Sequence, residues 1–236
     1  MLLPVLGAAA AGAGAVSVFA WAARGKSSSL FAPSVWRGPR SRPAIALTFD
    51  DGPSESTPGI LELLAAHNTR ATFFMCGANV ARLPAIARAA AAAGHEIANH
   101  SYSHSRFDFR ARQFMRVDIG DAQQAISAAC GVTPTLFRAP YGVRWFGLGE
   151  VQRELGLTGV MWSAIGLDWK LPPDGVTKRL IAAARNGAIF CLHDGREKVV
   201  NPDVSSTTTA LAALLPALRK KGFDLVTVSD LLKVEG

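Results

Sequence analysis

The sequence predicts an α/β barrel with a catalytic rim, and two patterns predict it. From Ala44 onward, short β-rich runs alternate with helical stretches, the arrangement that gives parallel strands joined by crossover helices. Five polar signatures fall where such runs end: Asp50-Asp51-Gly52-Pro53, His100-Ser101-Tyr102-Ser103-His104, Arg138-Ala139-Pro140-Tyr141, Asp168-Trp169 and His193-Asp194. Polar groups at the carboxyl ends of successive strands are how an α/β barrel builds one active site from distant segments.

Seven strands are expected: Ala44 to Phe49, Ala71 to Met75, Glu96 to Ala98, Thr135 to Arg138, Val160 to Ser163, Ala188 to Leu192 and Leu225 to Val228. Thr57-Pro58 reads as the cap and first residue of one helix, and Gly94 as the stop after the Ala-rich helix from Pro84 to Ala93. With 236 residues and 49% hydrophobic content, the chain can bury one substantial core, which excludes a disordered protein.

The net charge of +7 invites a nucleic-acid reading. However, Arg24, Lys26, Arg37, Arg40 and Arg42 all precede the first acidic residue, Asp50, and the rest of the chain holds 20 basic against 18 acidic residues. Without basic clusters interleaved with aromatics, no nucleic-acid partner is expected. Cys76, Cys130 and Cys191 are odd in number and lack Cys-x-x-Cys spacing, so they read as buried small hydrophobes rather than disulfides or a thiolate zinc site.

Leu2 to Ala23 carries no charge over a length close to that of a bilayer span. Residues 1–23 are therefore read as a transmembrane anchor or a signal segment. Ala20 and Ala22 supply an A-x-A cleavage pattern, while the absence of an N-terminal Lys or Arg speaks against a signal peptide. Residues 24–43, with three consecutive Ser, three Pro and scattered Arg, read as a linker, in which Phe31, Val35 and Trp36 pack on the domain edge or lie at a membrane interface. Residues 44–236 form the catalytic domain.

Adjacent carboxylates on an extended segment point in opposite directions, so Asp50 and Asp51 can hold different jobs in one site, although Asp-Gly-Pro is also ordinary turn chemistry. His100 and His104 are four residues apart, and on a helical turn their imidazoles share a face, as two metal ligands require. With one carboxylate they complete a three-ligand catalytic site for zinc or a similar divalent ion, the fourth position being left for water. A buried Arg138 needs a carboxylate, and Asp50 is available if Asp51 holds the metal. Ile189, Cys191 and His193 share one strand face, with Asp168 placed to orient His193 and Asp194 to brace the following loop. His67 and His95 read as structural.

The five signatures, in this order, resemble the polysaccharide deacetylase family, also called the NodB homology domain or carbohydrate esterase family 4, from about Ala44 to Leu232. Thr48-Phe49-Asp50-Asp51-Gly52-Pro53 resembles the family's first motif in full, and the His-Ser-x-x-His spacing its second. The resemblance implies a distorted (β/α)7 barrel that hydrolyses N-acetyl, or sometimes O-acetyl, groups of carbohydrate polymers with a divalent metal: zinc first, with cobalt, manganese or nickel as alternatives. By position it implies Asp51, His100 and His104 as metal ligands, Asp50 as general base and Arg138 as the partner of that base. It further implies Tyr141 as oxyanion donor through its backbone N–H, His193 as general acid, Asp168 as its tuner and Trp169 as a wall of the acetyl pocket.

Two positions depart from the pattern: Ile165 stands where the family often has Asp, and Cys191 where it has an apolar residue, usually Leu. The implied substrate is an N-acetylated carbohydrate polymer, peptidoglycan or chitin-like, outside the cytoplasm, so the domain is expected to be exported and associated with the membrane through residues 1–23. No protein partner is expected. Trp145 and Phe146 are placed either to stack a sugar ring or to pack in the core. The rival readings are an O-acetyl esterase acting on xylan and a barrel that binds carbohydrate without catalysis.

Overall fold

The computed structural model describes residues 17–233. Residues 17–24 are helical (α1), and the chain continues through β1 (Ser34–Val35), β2 (Ala44–Asp50), α2 (Thr57–Ala66), β3 (Thr72–Met75), α3 (Gly77–Arg82), α4 (Pro84–Ala92), β4 (Glu96–Asn99) and α5 (Arg112–Cys130). It then passes β5 (Leu136–Phe137), a 3₁₀ turn at Pro140–Gly142, α6 (Leu148–Glu154), β6 (Thr158–Val160), β7 (Ala164–Ile165), α7 (Pro173–Ala183), β8 (Ala188–His193), α8 (Ser205–Lys220), β9 (Asp224–Val226) and α9 (Val228–Leu232). The strands form one parallel sheet in the order β1-β6-β5-β4-β3-β2-β8-β7, with β9 pairing the start of β2, curled as a half-barrel.

Period-two sequence explains how β2 becomes the fully buried centre of this sheet. Ile45, Leu47 and Phe49 join the large cluster under the helices, with Phe73, Phe190, Leu214 and Leu218, while Ala44 and Ala46 face a tighter cluster with Phe74, Ala98 and Ile189. Burying each large side chain contributes about 1.5–3 kcal/mol. Small residues on the inner face leave room at the strand ends, where the polar residues begin.

All seven expected strands are present, within a few residues. Two further strands, β1 and β7, are only two residues long, too short to show any alternation. Helix α2 begins at Thr57 with Ser56 as its cap residue, because the Thr57 hydroxyl is used elsewhere: it accepts from Ser54 N–H at 2.8 Å and donates to Asp194 at 2.6 Å. Gly131, at φ 71°, ends α5 by returning its N–H to the Ser127 carbonyl.

Residues 24–43, read as a linker, lie against the barrel. β1 pairs in parallel with β6 as an edge strand, and Gly159 permits this because a Cβ there would meet the Pro33 carbonyl at 2.6 Å. Buried Arg144 donates to the Ser28 carbonyl at 2.7 Å and also to that of Gly25. No described helix is long and apolar enough to cross a membrane. Most of the expected anchor or signal segment, residues 1–16, lies outside the described residues.

Candidate active site

Parallel register brings the first and last signatures side by side. β2 and β8 pair with Thr48 opposite Cys191 and Asp50 opposite His193, so these four side chains share the inner face. After Asp50 the backbone turns sharply through Asp51, at φ 73°. Asp194 holds this turn: its carboxylate takes the Thr57 hydroxyl, its carbonyl takes the Ser54 hydroxyl, and a Cβ on Gly52 would overlap its Oδ2. Asp194 thus braces the loop after β2 rather than the one following itself, and burial pushes its carboxyl up to about 7.

The Asp51 carboxylate meets both predicted imidazoles. Its Oδ1 lies 3.0 Å from His104 Nε2 and 3.4 Å from His100 Nε2, and the three side chains are buried. Burial alone raises the Asp51 carboxyl, but hydrogen bonds from His100 and His104 outweigh it and hold the group well below the usual carboxylate range. The two histidines do not sit on a helical turn. The stretch after β4 is a loop with left-handed residues at Ser101 (φ 62°) and His104 (φ 53°), which redirects the chain so that both rings converge. Asn99 supports this loop by accepting Ser101 N–H at 2.8 Å, and the Ser101 hydroxyl accepts His104 N–H at 3.2 Å.

The donor set fits a divalent cation. His100 Nδ1 lies 2.7 Å from the Arg138 carbonyl, which can only accept, so that nitrogen carries a proton and Nε2, turned toward Asp51, is the atom available to a cation. One atom from each of Asp51, His100 and His104 lies within 4.8 Å of the others, and two imidazoles with one carboxylate suit zinc and its neighbours.

Asp50 takes a different partner, the fully buried Arg138. Its guanidinium donates to Asp50 Oδ1 at 2.5 Å, to the Thr48 hydroxyl at 2.7 Å and to the Val160 and Met161 carbonyls, and lies 4.0 Å over the Phe74 ring. The structure thus places Arg138 inside the molecule, paired with the carboxylate its burial requires. The other Asp50 oxygen faces the Cys191 thiol at 3.4 Å, and burial, reinforced by Asp50, drives that thiol well above its ordinary range.

Opposite, Asp168 receives His193 twice, from the ring Nδ1 and the backbone N–H, each at 2.8 Å, and also the Thr207 hydroxyl at 2.6 Å. Burial favours the neutral imidazole, but the Asp168 hydrogen bond and charge prevail and raise His193 to about 9. The Trp169 ring stands edge-on to His193 at 4.9 Å. Tyr141, at φ 56° in its 3₁₀ turn, packs 4.7 Å from His104 and donates its hydroxyl to Glu197 at 2.6 Å.

All these signatures open on one cavity of 710 Å³, whose lining includes Asp50, His104, Tyr141, Trp169, Cys191 and His193. Ile165 also lines it, so both departures from the family pattern shape the pocket. Trp145 and Phe146 do not line it; they pack with Phe19, Phe31 and Phe109 on another side of the barrel. His67 caps α2, and His95 accepts Ala71 N–H, its ring lowered to about 4 by burial and then Arg70. Cys130 is only half-buried, and all three cysteines are free.

Sequence reasoning missed Glu197 and Asn79. Glu197 N–H donates to Asp51 Oδ2 at 2.9 Å, and the Asn79 amide bridges the Asp51 and Glu197 carbonyls at 2.7 and 2.6 Å. Neither lies at a strand end, and no spacing marks them.

Fold and site together define a class: a parallel α/β half-barrel with a candidate divalent-cation site between a carboxylate held by arginine and an imidazole held by aspartate. The chain belongs to the polysaccharide deacetylase family, whose sequence model matches residues 37–160. It is 35% identical over 206 residues to the peptidoglycan-N-acetylglucosamine deacetylase PgdA of Listeria monocytogenes, covering 86% of this chain but 42% of that protein, so it spans less than half that relative's length. It is 36% identical over 198 residues to the chitooligosaccharide deacetylase of Sinorhizobium fredii, covering 80% of this chain and 92% of the relative. The solved Bc1960 peptidoglycan N-acetylglucosamine deacetylase superposes with a TM-score of 0.79 at 31% identity, covering 84% of this chain and 91% of that one.

Proposed function

We propose that this protein is a hydrolase that uses a divalent metal to remove N-acetyl groups from an N-acetylglucosamine-containing polysaccharide, either peptidoglycan or a chitin-like oligosaccharide. The observation that carries this reading is the sharing of one cavity by the Asp51, His100 and His104 donors, the Asp50 carboxylate and the His193 imidazole. Asp51, His100 and His104 hold the cation, for which zinc is the first choice and cobalt, manganese or nickel are alternatives. When bound, the cation supplies a Lewis acid at the reacting acetamide.

Asp50 accepts the proton of the attacking water through the oxygen that Arg138 leaves free. Arg138 fixes that carboxylate and keeps it paired in a buried site. The Tyr141 backbone N–H donates to the acetyl oxygen as negative charge develops there; losing one such donor costs roughly 3 kcal/mol of barrier. His193, cationic below about 9, delivers its proton to the departing amine, which is otherwise a very poor leaving group. Trp169 walls the acetyl pocket beside it.

The domain acts outside the cytoplasm, carried there or held there by residues 1–23. The deciding experiment measures acetate release from chitooligosaccharides, peptidoglycan fragments and acetylated xylan, with metal analysis of the same protein. Release from the first two that a chelator abolishes and added metal restores is expected. Faster release from xylan assigns an O-acetyl esterase instead, and a folded, metal-loaded protein that releases no acetate from any of them assigns a binding barrel.

A further inference from the structure

We propose that Asp50, Cys191 and His193 form a second cation site beside the first, one that takes a borderline-soft divalent ion such as zinc or cadmium and silences the enzyme when filled. The silencing rests on the roles proposed above for Asp50 and His193, whereas the binding rests on geometry alone. One donor atom from each of the three residues lies within 4.8 Å of the others, and all three line the cavity. Sheet register is the cause: Cys191 and His193 are two residues apart on one face of β8, and Asp50 lies directly opposite His193 on β2.

Each residue keeps one ligand atom turned toward the other two, and the only hydrogen bond among them, from the Cys191 thiol to Asp50, is given up with the thiol proton. Arg138 holds Asp50 Oδ1, leaving Oδ2 facing the Cys191 sulfur at 3.4 Å. Asp168 holds His193 Nδ1, leaving Nε2. A carboxylate, an imidazole and a thiolate with an open fourth position form a zinc-type ligand set, and the sulfur disfavours magnesium, calcium and manganese. With an apolar residue at position 191 only two donors would remain, so the site follows from this chain's departure from its family.

The cation displaces the thiol proton of Cys191 and, where His193 is charged, one imidazolium proton, releasing up to two protons per ion. Asp50 can then no longer accept a proton, nor His193 deliver one. Asp50 Oδ2 is 3.9 Å from His100 Nε2, so the two cation sites adjoin. Repulsion between the ions makes the second the weaker one, filled only when metal is in excess.

The test titrates the full-length protein with cobalt(II), following metal content and the near-ultraviolet thiolate-to-cobalt charge-transfer band. The wild type is expected to bind two cobalt ions and show the band, and Cys191→Leu and Cys191→Ser to bind one and show none. His104→Ala, which breaks the first site, should keep the band. Excess zinc should inhibit acetate release by the wild type, with the inhibition constant raised about 100-fold or more in Cys191→Ser, each protein being scored against its own uninhibited rate. A wild type without the band at saturating cobalt, or equal zinc inhibition of wild type and Cys191→Ser, overturns the proposal. A band with a second bound ion but no acetate release from any glycan retains the second site and rejects the deacetylase reading.

Discussion

Replacing Asp168 with Asn removes the charge that keeps His193 cationic while keeping an acceptor for its backbone N–H. His193 stands at about 9 although burial works against its charge. The difference from the ordinary value of 6.5 corresponds to about 3 kcal/mol in favour of the imidazolium. Without the carboxylate the burial remains, so the ring should titrate at or below 6.5. At pH 8 the proton-bearing fraction then falls from about nine-tenths to about 3%, a loss of roughly 30-fold in a rate that needs this acid.

The sign is set by a raised value. The acid is present below about 9 and lost as pH rises through it, so the alkaline limb of kcat moves down to 6.5 or lower in the variant. The same pair stabilises the fold fully below 6.5 and loses that contribution as pH climbs to about 9. The assay is kcat for acetate release across neutral and alkaline pH, with circular dichroism melting to establish that the variant folds. An alkaline limb unchanged near 9 in a folded Asp168→Asn protein would refute this role for the pair.

Asp50→Asn should retain the metal held by Asp51, His100 and His104 and lose about 10²–10⁴-fold in turnover, whereas His104→Ala should lose both that metal and turnover; metal analysis without excess metal, beside kcat, separates the two. Arg138→Met strands a buried carboxylate and should destabilise the fold by about 3–5 kcal/mol, read from urea denaturation. Gly52→Ala drives a methyl group into the Asp194 carboxylate, which leaves no room for a Cβ, and should cost about 1–3 kcal/mol in the same measurement.

The strand-end residues are legible in the sequence because a buried strand reads as an apolar run and its first polar residue marks the rim. That logic locates Asp50, Arg138 and His193, whose side chains the fold brings to one cavity or its wall. It fails where conformation rather than composition decides. The four-residue spacing of His100 and His104 is shared by a helical turn and by a loop bent at Ser101 and His104, and only the backbone tells them apart. β1 and β7 carry too few residues to show a period, and unlike the equally short β5, which runs straight into Arg138, neither leads directly into a polar signature. Asp194 braces a loop that sequence does not point to, because its partner Thr57, beside it in space, is 137 positions away along the chain.

The pairing of β1 with β6 has a practical bearing on any shortened form of the protein. A chain cut to begin at Ala44, the start of the barrel as sequence would draw it, would strip the outermost rung and bare the ladder edge of β6, an invitation to intermolecular strand addition. It would also deprive Arg144 of the Gly25 and Ser28 carbonyls, leaving a charged group unanswered in the interior. Soluble recombinant versions should therefore start upstream of Gly25.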